Sequence, residues 1–385
     1  MTLRVALIGH GFMGAAHSVG WRQAPRMFDL PTGIELAVVA GRHLDAAASA
    51  AGRWGWAEGA DDWRDVIARD DIDIVDIVTP GDSHAEIAIA ALEAGKHVLC
   101  EKPLANSVAQ AQAMADAASR AAARGQKAMV GFTYRRVPAV TLLRDLVAQG
   151  RIGRVQQVRA AYRQDWLVDP RSPLTWRLTK EGAGSGALGD IGAHIVDMVQ
   201  FTTGQSVEAV SGTVDTIVRH RPIVGGADVE RGEVTVDDVA LFTGRLSGGA
   251  LASFEATRFA TGRKNALSVE VSGDAGALRF DLEDLNTLQL YDRTAPGELQ
   301  GFTRILVTEP AHPYLGGWWP AGHLLGYEHG FTHQVVDLVR AVADGTEVHP
   351  TFAEGLSVQR VLAAVEDSAA NDSAWARAGI PVPVP

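Results

Sequence analysis

The chain has 385 residues, 46% of them apolar and 21% charged, and carries a formal net charge of −11. Domains usually run to ~100–200 residues, so two are expected, and the balance is that of a globular chain rather than a disordered one. An acidic chain with no long basic run repels a phosphate backbone, which excludes nucleic acid as a partner class.

A strand-like run at residues 3–8 opens the chain, so no signal peptide and a cytoplasmic location are expected. Further strand-like runs fall at 34–40, 74–78, 97–100 and 128–131, with Ala-rich helical patterns near 13–23, 44–54, 85–94 and 107–124. Strand alternating with helix predicts a doubly wound parallel sheet, an α/β domain of the Rossmann type over residues 1–131. The texture changes after residue 132. A helical pattern at 137–149 ends at Gly150, and strand-like runs follow at 155–162, 207–214, 239–246, 250–257, 267–272 and 277–281. Turn signals such as Ser247-Gly248-Gly249 and Gly273-Asp274-Ala275-Gly276 separate them. One helical pattern at 187–203 interrupts the series, and two more near 328–344 and 352–371 close the chain. These predict an α+β domain over residues 132–385, with a large open, mostly antiparallel sheet and helices on one face. The C-terminal helix is free to pack back on the first domain, and a partner subunit is the natural cover for the bare sheet face. No apolar stretch approaches the ~18–20 residues needed to span a membrane. The single cysteine, Cys100, allows no internal disulfide and reads as a small buried hydrophobe at a strand end.

Gly9-His10-Gly11-Phe12-Met13-Gly14 matches G-x-G-x-x-G between an apolar strand and a helix, the context of a dinucleotide-binding loop. Gly9 allows the tight turn, Gly11 lets a pyrophosphate approach the backbone, and Gly14 lets helix and strand pack closely. The second strand ends Val38-Val39-Ala40-Gly41-Arg42-His43, without the carboxylate that holds an adenosine ribose. A carboxylate there would repel a 2′-phosphate, whereas Arg42 pairs with one, so NADP is favoured over NAD. If Arg42 only stacks on adenine, NAD serves. Thr79-Pro80-Gly81-Asp82-Ser83-His84 and Glu101-Lys102-Pro103 follow the next two strands on the same carboxyl edge, where ligands bind in such sheets. The first of these also reads as a helix-capping turn. Lys102 there lies near the nicotinamide end.

Gly9-x-Gly11-x-x-Gly14, Thr79-Pro80, His84, Ala94-Gly95-Lys96-His97-Val98, Glu101-Lys102-Pro103 and Gly189-Asp190-Ile191-Gly192-Ala193-His194, in that order, resemble the glucose–fructose oxidoreductase / inositol dehydrogenase / rhizopine catabolism (Gfo/Idh/MocA) family over nearly the whole chain. Gln164-Asp165-Trp166, Pro173-Leu174-Thr175-Trp176-Arg177, Gly184-Ser185-Gly186, Val236-Asp237-Asp238, Glu255-Ala256-Thr257-Arg258 and Pro310-Ala311-His312-Pro313-Tyr314 are similar to its levoglucosan dehydrogenase-like branch. Two positions depart from the family pattern. The acid of NAD-using relatives is Gly41 here, and the Asn often found before Tyr134-Arg135-Arg136 is Thr133.

The resemblance implies NAD(P)-dependent hydride transfer to or from a secondary alcohol of a sugar, anhydrosugar or cyclic polyol. It implies His194 as general base or acid, Lys102 bonding the reacting oxygen and Asp190 orienting the substrate or these side chains. Asp190 and His194 stand four apart in a helical pattern and so share a face, and histidine suits proton transfer near neutral pH. Tyr134, Gln164, Trp166 and Arg177 supply hydrogen bonds and an aromatic face at positions that related enzymes use for substrate. Trp318 and Trp319 read equally as a platform or as packing residues. His329 and His333 share metal-pair spacing, but no third ligand is evident and no metal is expected. A homodimer or homotetramer through the C-terminal sheet is implied. Two other readings stand beside the dehydrogenase. One is an eliminase that retains its cofactor and oxidises a glycoside ring transiently. The other is a non-catalytic NAD(P)-sensing regulator, against which the presence of Lys102, Asp190 and His194 argues.

Overall fold

Apolar residues crowd Thr2–Ile8, and in the computed structural model, which describes residues 2–223 and 230–379, they form β1 of a six-stranded sheet. Val5, Ala6 and Leu7 are fully buried, as a strand covered on both faces requires. The chain divides into two compact units, Met1–Arg136 with Gly326–Leu356, and Val137–Leu325 with Ser357–Pro385.

In the first unit β1 is followed by α1 (Phe12–Met27), β2 (Gly33–Ala40), α2 (Leu44–Trp54), β3 (Glu58–Ala60), α3 (Trp63–Ile67), β4 (Ile74–Ile77), α4 (His84–Glu93), β5 (His97–Cys100), α5 (Val108–Ala122) and β6 (Ala128–Val130). The order is β3-β2-β1-β4-β5-β6 with every pairing parallel, the doubly wound sheet expected from the strand–helix alternation. Strand order reverses between β1 and β4, and the carboxyl ends flanking such a switch point are where ligands bind. Local chemistry closes the helices. The Ser107 hydroxyl accepts from the Gln110 N–H at the start of α5, and α2 ends on left-handed Gly55. Helix His329–Asp344 also belongs to this unit and packs on α1. The approach is close: a Cβ on Gly20 would stand 2.8 Å from the Phe331 backbone. Trp21 of α1 and Val335, Val336, Leu338 and Val339 of that helix share one apolar core.

The second unit contains α6 (Pro138–Ala148), β7 (Val155–Arg163), α7 (Lys180–Ala183), α8 (Ala193–Thr203), β8 (Val207–Asp215), β9 (His220–Pro222), β10 (Arg231–Glu233), β11 (Val239–Leu246), β12 (Leu251–Thr257), β13 (Ala266–Gly273), β14 (Gly276–Asp281), β15 (Thr287–Asp292), β16 (Thr303–Leu306) and β17 (Ala376–Arg377). Its nine-stranded sheet runs β16-β15-β14-β13-β7-β12-β11-β8-β17, antiparallel except between β7 and β12, so it is the open, mostly antiparallel sheet expected. Period-two alternation decides its faces. On β11, Ala240, Phe242 and Leu246 are buried, while Leu241 and its face-mates Thr243 and Arg245 are exposed. Helices α6 and α8 pack against the strands. The ribbon of β9 and β10 went unread in the sequence because His-Arg-Pro and Arg-Gly-Glu carry no apolar alternation. Among the described residues no helix is long and apolar enough to cross a membrane.

Candidate active site

The glycine loop takes the geometry its three positions demand. Gly9 adopts φ 111°, and a Cβ there would come within 3.0 Å of the Val78 backbone. A Cβ on Gly14 would meet the Gly9 carbonyl at 2.8 Å, which is the close helix–strand contact. A Cβ on Gly11 would meet nothing within 4 Å, so the space over this residue is open, and no side chain among the described residues caps α1, whose first residue follows it. The first-turn N–H groups of α1 are therefore presented to an anion, so these residues fit a dinucleotide pyrophosphate.

At the end of β2, a Cβ on Gly41 would stand 2.2 Å from the His10 ring, so the imidazole fills the space a larger side chain would take. Arg42 and His43 are exposed beside it. In the next loop Ser83 donates to the Thr79 hydroxyl at 2.8 Å, and Pro80 and Asp82 face solvent. His84 is buried, with Nδ1 3.1 Å from the Pro103 carbonyl and Nε2 2.9 Å from the Thr79 carbonyl. Burial lowers its pKa, so the neutral ring carries one N–H and donates to one carbonyl at a time. His84 thus ties the Thr79-Pro80 turn to the loop bearing Lys102. Lys102 is half-buried, and Glu101 before it is buried and turned inward to His17. Cys100 is fully buried, and burial, with the Glu101 and Asp76 charges, pushes its thiol well up, which suits the packing role expected of it.

Tyr134 lies in the same unit, in a turn held by the buried pair Arg135–Glu354 at 2.6 Å and by Arg136–Asp337 at 2.9 Å. Tyr327, which no sequence signal singled out, has its ring 6.4 Å from both Tyr134 and the exposed Phe12. His333 is buried with Nδ1 2.9 Å from the Arg136 carbonyl, and burial pushes it down to about 3. No cluster of three metal-ligating side chains occurs among the described residues.

The second unit gathers another set. Asp190 sits in a π-helical turn, Leu188–Gly192, that runs into α8, and His194 follows on α8 itself. The four-residue spacing therefore crosses a change of helix type rather than a uniform α-helix, and π turns recur at functional sites. The Asp237 carboxylate fixes the approach to this turn, accepting from the Gly186 and Leu188 N–H groups at 2.8 and 2.7 Å. Asp190 accepts from Arg258 Nη2 at 2.9 Å, and the buried Arg258 guanidinium lies 5.3 Å from the centre of the Trp166 ring. Trp166 Nε1 donates to Gln164 at 2.9 Å, Gln164 Nε2 donates to Asn265 at 2.9 Å, and the Tyr162 hydroxyl donates to the same Asn265 oxygen at 2.6 Å. Tyr162 meets the His194 ring edge-on, 5.7 Å between centroids. Gln164, Trp166, Asp190 and His194 are thus one connected cluster, with Arg258, Asn265 and Tyr162 as links that sequence reasoning did not assign to the site. Arg258 did carry a signal, as an arginine ending an apolar strand. Arg177 stands apart, exposed and stacked on Trp176 at 4.4 Å. Trp318 and Trp319 pack on each other at 6.2 Å. An imidazole, a fixed carboxylate, amide groups and an indole face together suit a ring carrying several hydroxyls.

Two family models match the chain. One describes an oxidoreductase family with an NAD-binding Rossmann fold, over residues 3–132, and the other the GFO/IDH/MocA C-terminal domain, over residues 140–279. The chain is 42% identical over 383 residues to levoglucosan dehydrogenase of Pseudarthrobacter phenanthrenivorans, covering 96% of this chain and 97% of that one. The chain belongs to the GFO/IDH/MocA family. Among solved structures, an oxidoreductase domain protein from Kribbella flavida superposes with a TM-score of 0.96 at 61% identity, over 99% of this chain and 100% of that one. A levoglucosan dehydrogenase in complex with NADH and levoglucosan superposes with a TM-score of 0.94 at 40% identity, again over 99% and 100%. As a GFO/IDH/MocA member with an intact glycine loop, the chain is a nicotinamide-dependent oxidoreductase. The identity to a levoglucosan dehydrogenase over nearly the whole chain favours the dehydrogenase over the eliminase and sensor readings.

Proposed function

We propose that this protein oxidises a secondary alcohol of a sugar, anhydrosugar or cyclic polyol, reversibly, with anhydrosugars of the levoglucosan type as the leading substrates. The observation that carries this is the cluster of Gln164, Trp166, Asp190 and His194 in a chain 42% identical to a levoglucosan dehydrogenase. When bound, the nicotinamide accepts the hydride from the carbinol carbon. His194 takes the hydroxyl proton, so the alcohol becomes a ketone with one hydride and one proton removed. Lys102 donates a hydrogen bond to the reacting oxygen and offsets the negative charge that develops on it. Asp190, held by Arg258, accepts from a substrate hydroxyl and fixes the ring, and Trp166 offers it an apolar face. Tyr134 and Gln164 add donors and acceptors, and Arg177, which stacks on Trp176 outside the cluster, is a further proposed substrate contact.

Arg42 carries the finer choice of cofactor. With no carboxylate at Gly41 and a guanidinium beside it, a 2′-phosphate meets attraction without repulsion, so NADP is the preferred form. The NADH present in the levoglucosan dehydrogenase complex is the specific observation on the side of NAD. Initial rates with levoglucosan, glucosides and inositols, each with NAD and with NADP, test both statements. Turnover of one ring-alcohol class, with Arg42→Ala raising KM for NADP about 10-fold and leaving KM for NAD unchanged, is the expected result. Equal effects on both cofactors would remove Arg42 from the choice, and silence across the panel would remove the dehydrogenase.

The outer face of the nine-stranded sheet takes a second copy of the chain. Leu241 on β11 and Leu251 on β12 stand exposed there on adjacent strands. Light scattering of the purified protein should give at least twice the chain mass, and Leu241→Glu with Leu251→Glu should lower it to one chain. A wild-type mass of one chain would contradict this assembly.

A further inference from the structure

One buried group in the first unit has no part in the mechanism above. His17, in the second turn of α1, places Nδ1 2.9 and 3.0 Å from the two Asp76 oxygens and Nε2 3.0 Å from Glu101 Oε1. His17 is 1% exposed, Asp76 0% and Glu101 4%, so water does not share these contacts. Asp76 interrupts the otherwise apolar strand β4 and also accepts from Trp21 Nε1 at 2.7 Å. Carboxylates only accept, so hydrogen bonding on both sides requires a hydrogen on each ring nitrogen, which makes the ring an imidazolium. Burial alone lowers its pKa. The Asp76 charge and the hydrogen bonds that the ring donates to Asp76 and Glu101 outweigh that and push it up to about 10. Without the cation, two carboxylates would face each other out of water, which is strongly unfavourable.

The same contacts fix Glu101. A Cβ on Gly131 would come within 2.5 Å of Glu101 Oε1, so only glycine leaves that oxygen its place. The other oxygen accepts from the Lys102 N–H at 3.3 Å. The Phe331 ring packs against His17, tilted, with 5.2 Å between centroids.

We infer that His17 is a positioning residue for the reaction: its charged ring clamps Glu101, and through Glu101 the backbone of Lys102, and so ties the helix that follows the glycine loop to the loop that carries the amine. This rests on the role proposed above for Lys102. The clamp explains why a charged residue occupies a central parallel strand, and why the residue before Lys102 is an inward-facing acid.

His17→Gln keeps one donor and removes the charge. Because it leaves buried carboxylates, it is paired with His17→Gln/Asp76→Asn, which removes one of them and preserves folding. The double variant should unfold near the wild-type temperature, bind dinucleotide within about two-fold of wild type, and lose kcat by about 10²-fold, the scale of a misplaced reacting group. Two measurements need no substrate. In wild-type protein at pH 8 the imidazole ¹⁵N spectrum should show His17 with both nitrogens protonated. After ¹³C-methylation of the lysines, the Lys102 signal, assigned by its loss in Lys102→Arg, should move or broaden in the double variant while other lysine signals stay. A neutral-ring spectrum for His17, an unmoved Lys102 signal, or a folded double variant with wild-type kcat would each overturn the inference. A wild-type protein that turns over no ring alcohol while showing both spectral results would sink the proposed function and leave the clamp standing.

Discussion

His194→Ala should lower kcat for ring-alcohol oxidation by ~10²–10⁴, the usual loss on removing a general base. The His194 ring is only partly buried at the start of α8, so the truncation leaves no sealed cavity and the variant should fold. Dinucleotide affinity should stay within a factor of two, because the glycine loop and the first turn of α1 are untouched. Lys102→Ala should cost a similar factor for a different reason, since it removes the charge that offsets the developing alkoxide. On the roles proposed above both groups serve the same step, so the double variant should be little worse than either single one. Steady-state kinetics on the three variants decide this. Full activity in His194→Ala would show that the proton leaves by another route, and strict additivity would show that the residues act on separate steps.

The second large effect concerns Asp190 and Arg258, and it is asymmetric. Asp190 has a side chain 33% exposed, whereas Arg258 is 1% exposed. Asp190→Asn removes the counter-charge and leaves the guanidinium with neutral acceptors and the Trp166 face, while its Nε and Nη1 have no hydrogen-bond partner among the described residues. Breaking a buried pair costs ~3–5 kcal/mol, and the loss here should be about 3 kcal/mol because Asp190 is partly solvated and the nearby Asp238 carboxylate remains. Arg258→Met should cost less, since it removes the buried charge and leaves a carboxylate that water can reach. The double variant should be more stable than Asp190→Asn alone. Urea unfolding of the three proteins measures these differences. In activity, Arg258→Met should lose rate, because Arg258 holds the Asp190 carboxylate and backs the Trp166 ring. If Arg258→Met proves the least stable of the three, the burial argument fails.

Legibility in the sequence followed the range of the interactions. The glycine loop could be read because each glycine answers a local need: Gly9 a positive φ, Gly14 a contact with Gly9 itself. Strands such as β1 and β4 announced themselves by apolar runs broken only by Arg4 and Asp76, and β11 by alternation. Lys102 and the Asp190–His194 spacing were visible as a family pattern. What holds them was not visible. Arg258 meets Asp190 across 68 residues, and His17 meets Glu101 across 84, and no periodicity encodes such pairs. The π turn at Leu188–Gly192 was read as plain α-helix, because the two share side-chain composition and differ only in hydrogen-bond register. At the end of β2, the missing acid was visible as Gly41, but the reason emerges only from His10, whose ring occupies the place of a side chain at 41.

The most direct test of the account is a label transfer. Levoglucosan deuterated at every ring carbon is incubated with the protein and oxidised dinucleotide, and the released dinucleotide is analysed by mass and NMR. The account predicts one deuterium at the nicotinamide C4 of free reduced cofactor, a ketone product, and transfer slowed by ~10²–10⁴ with His194→Ala. Unlabelled cofactor, or a cleaved sugar with no reduced cofactor released, would contradict it.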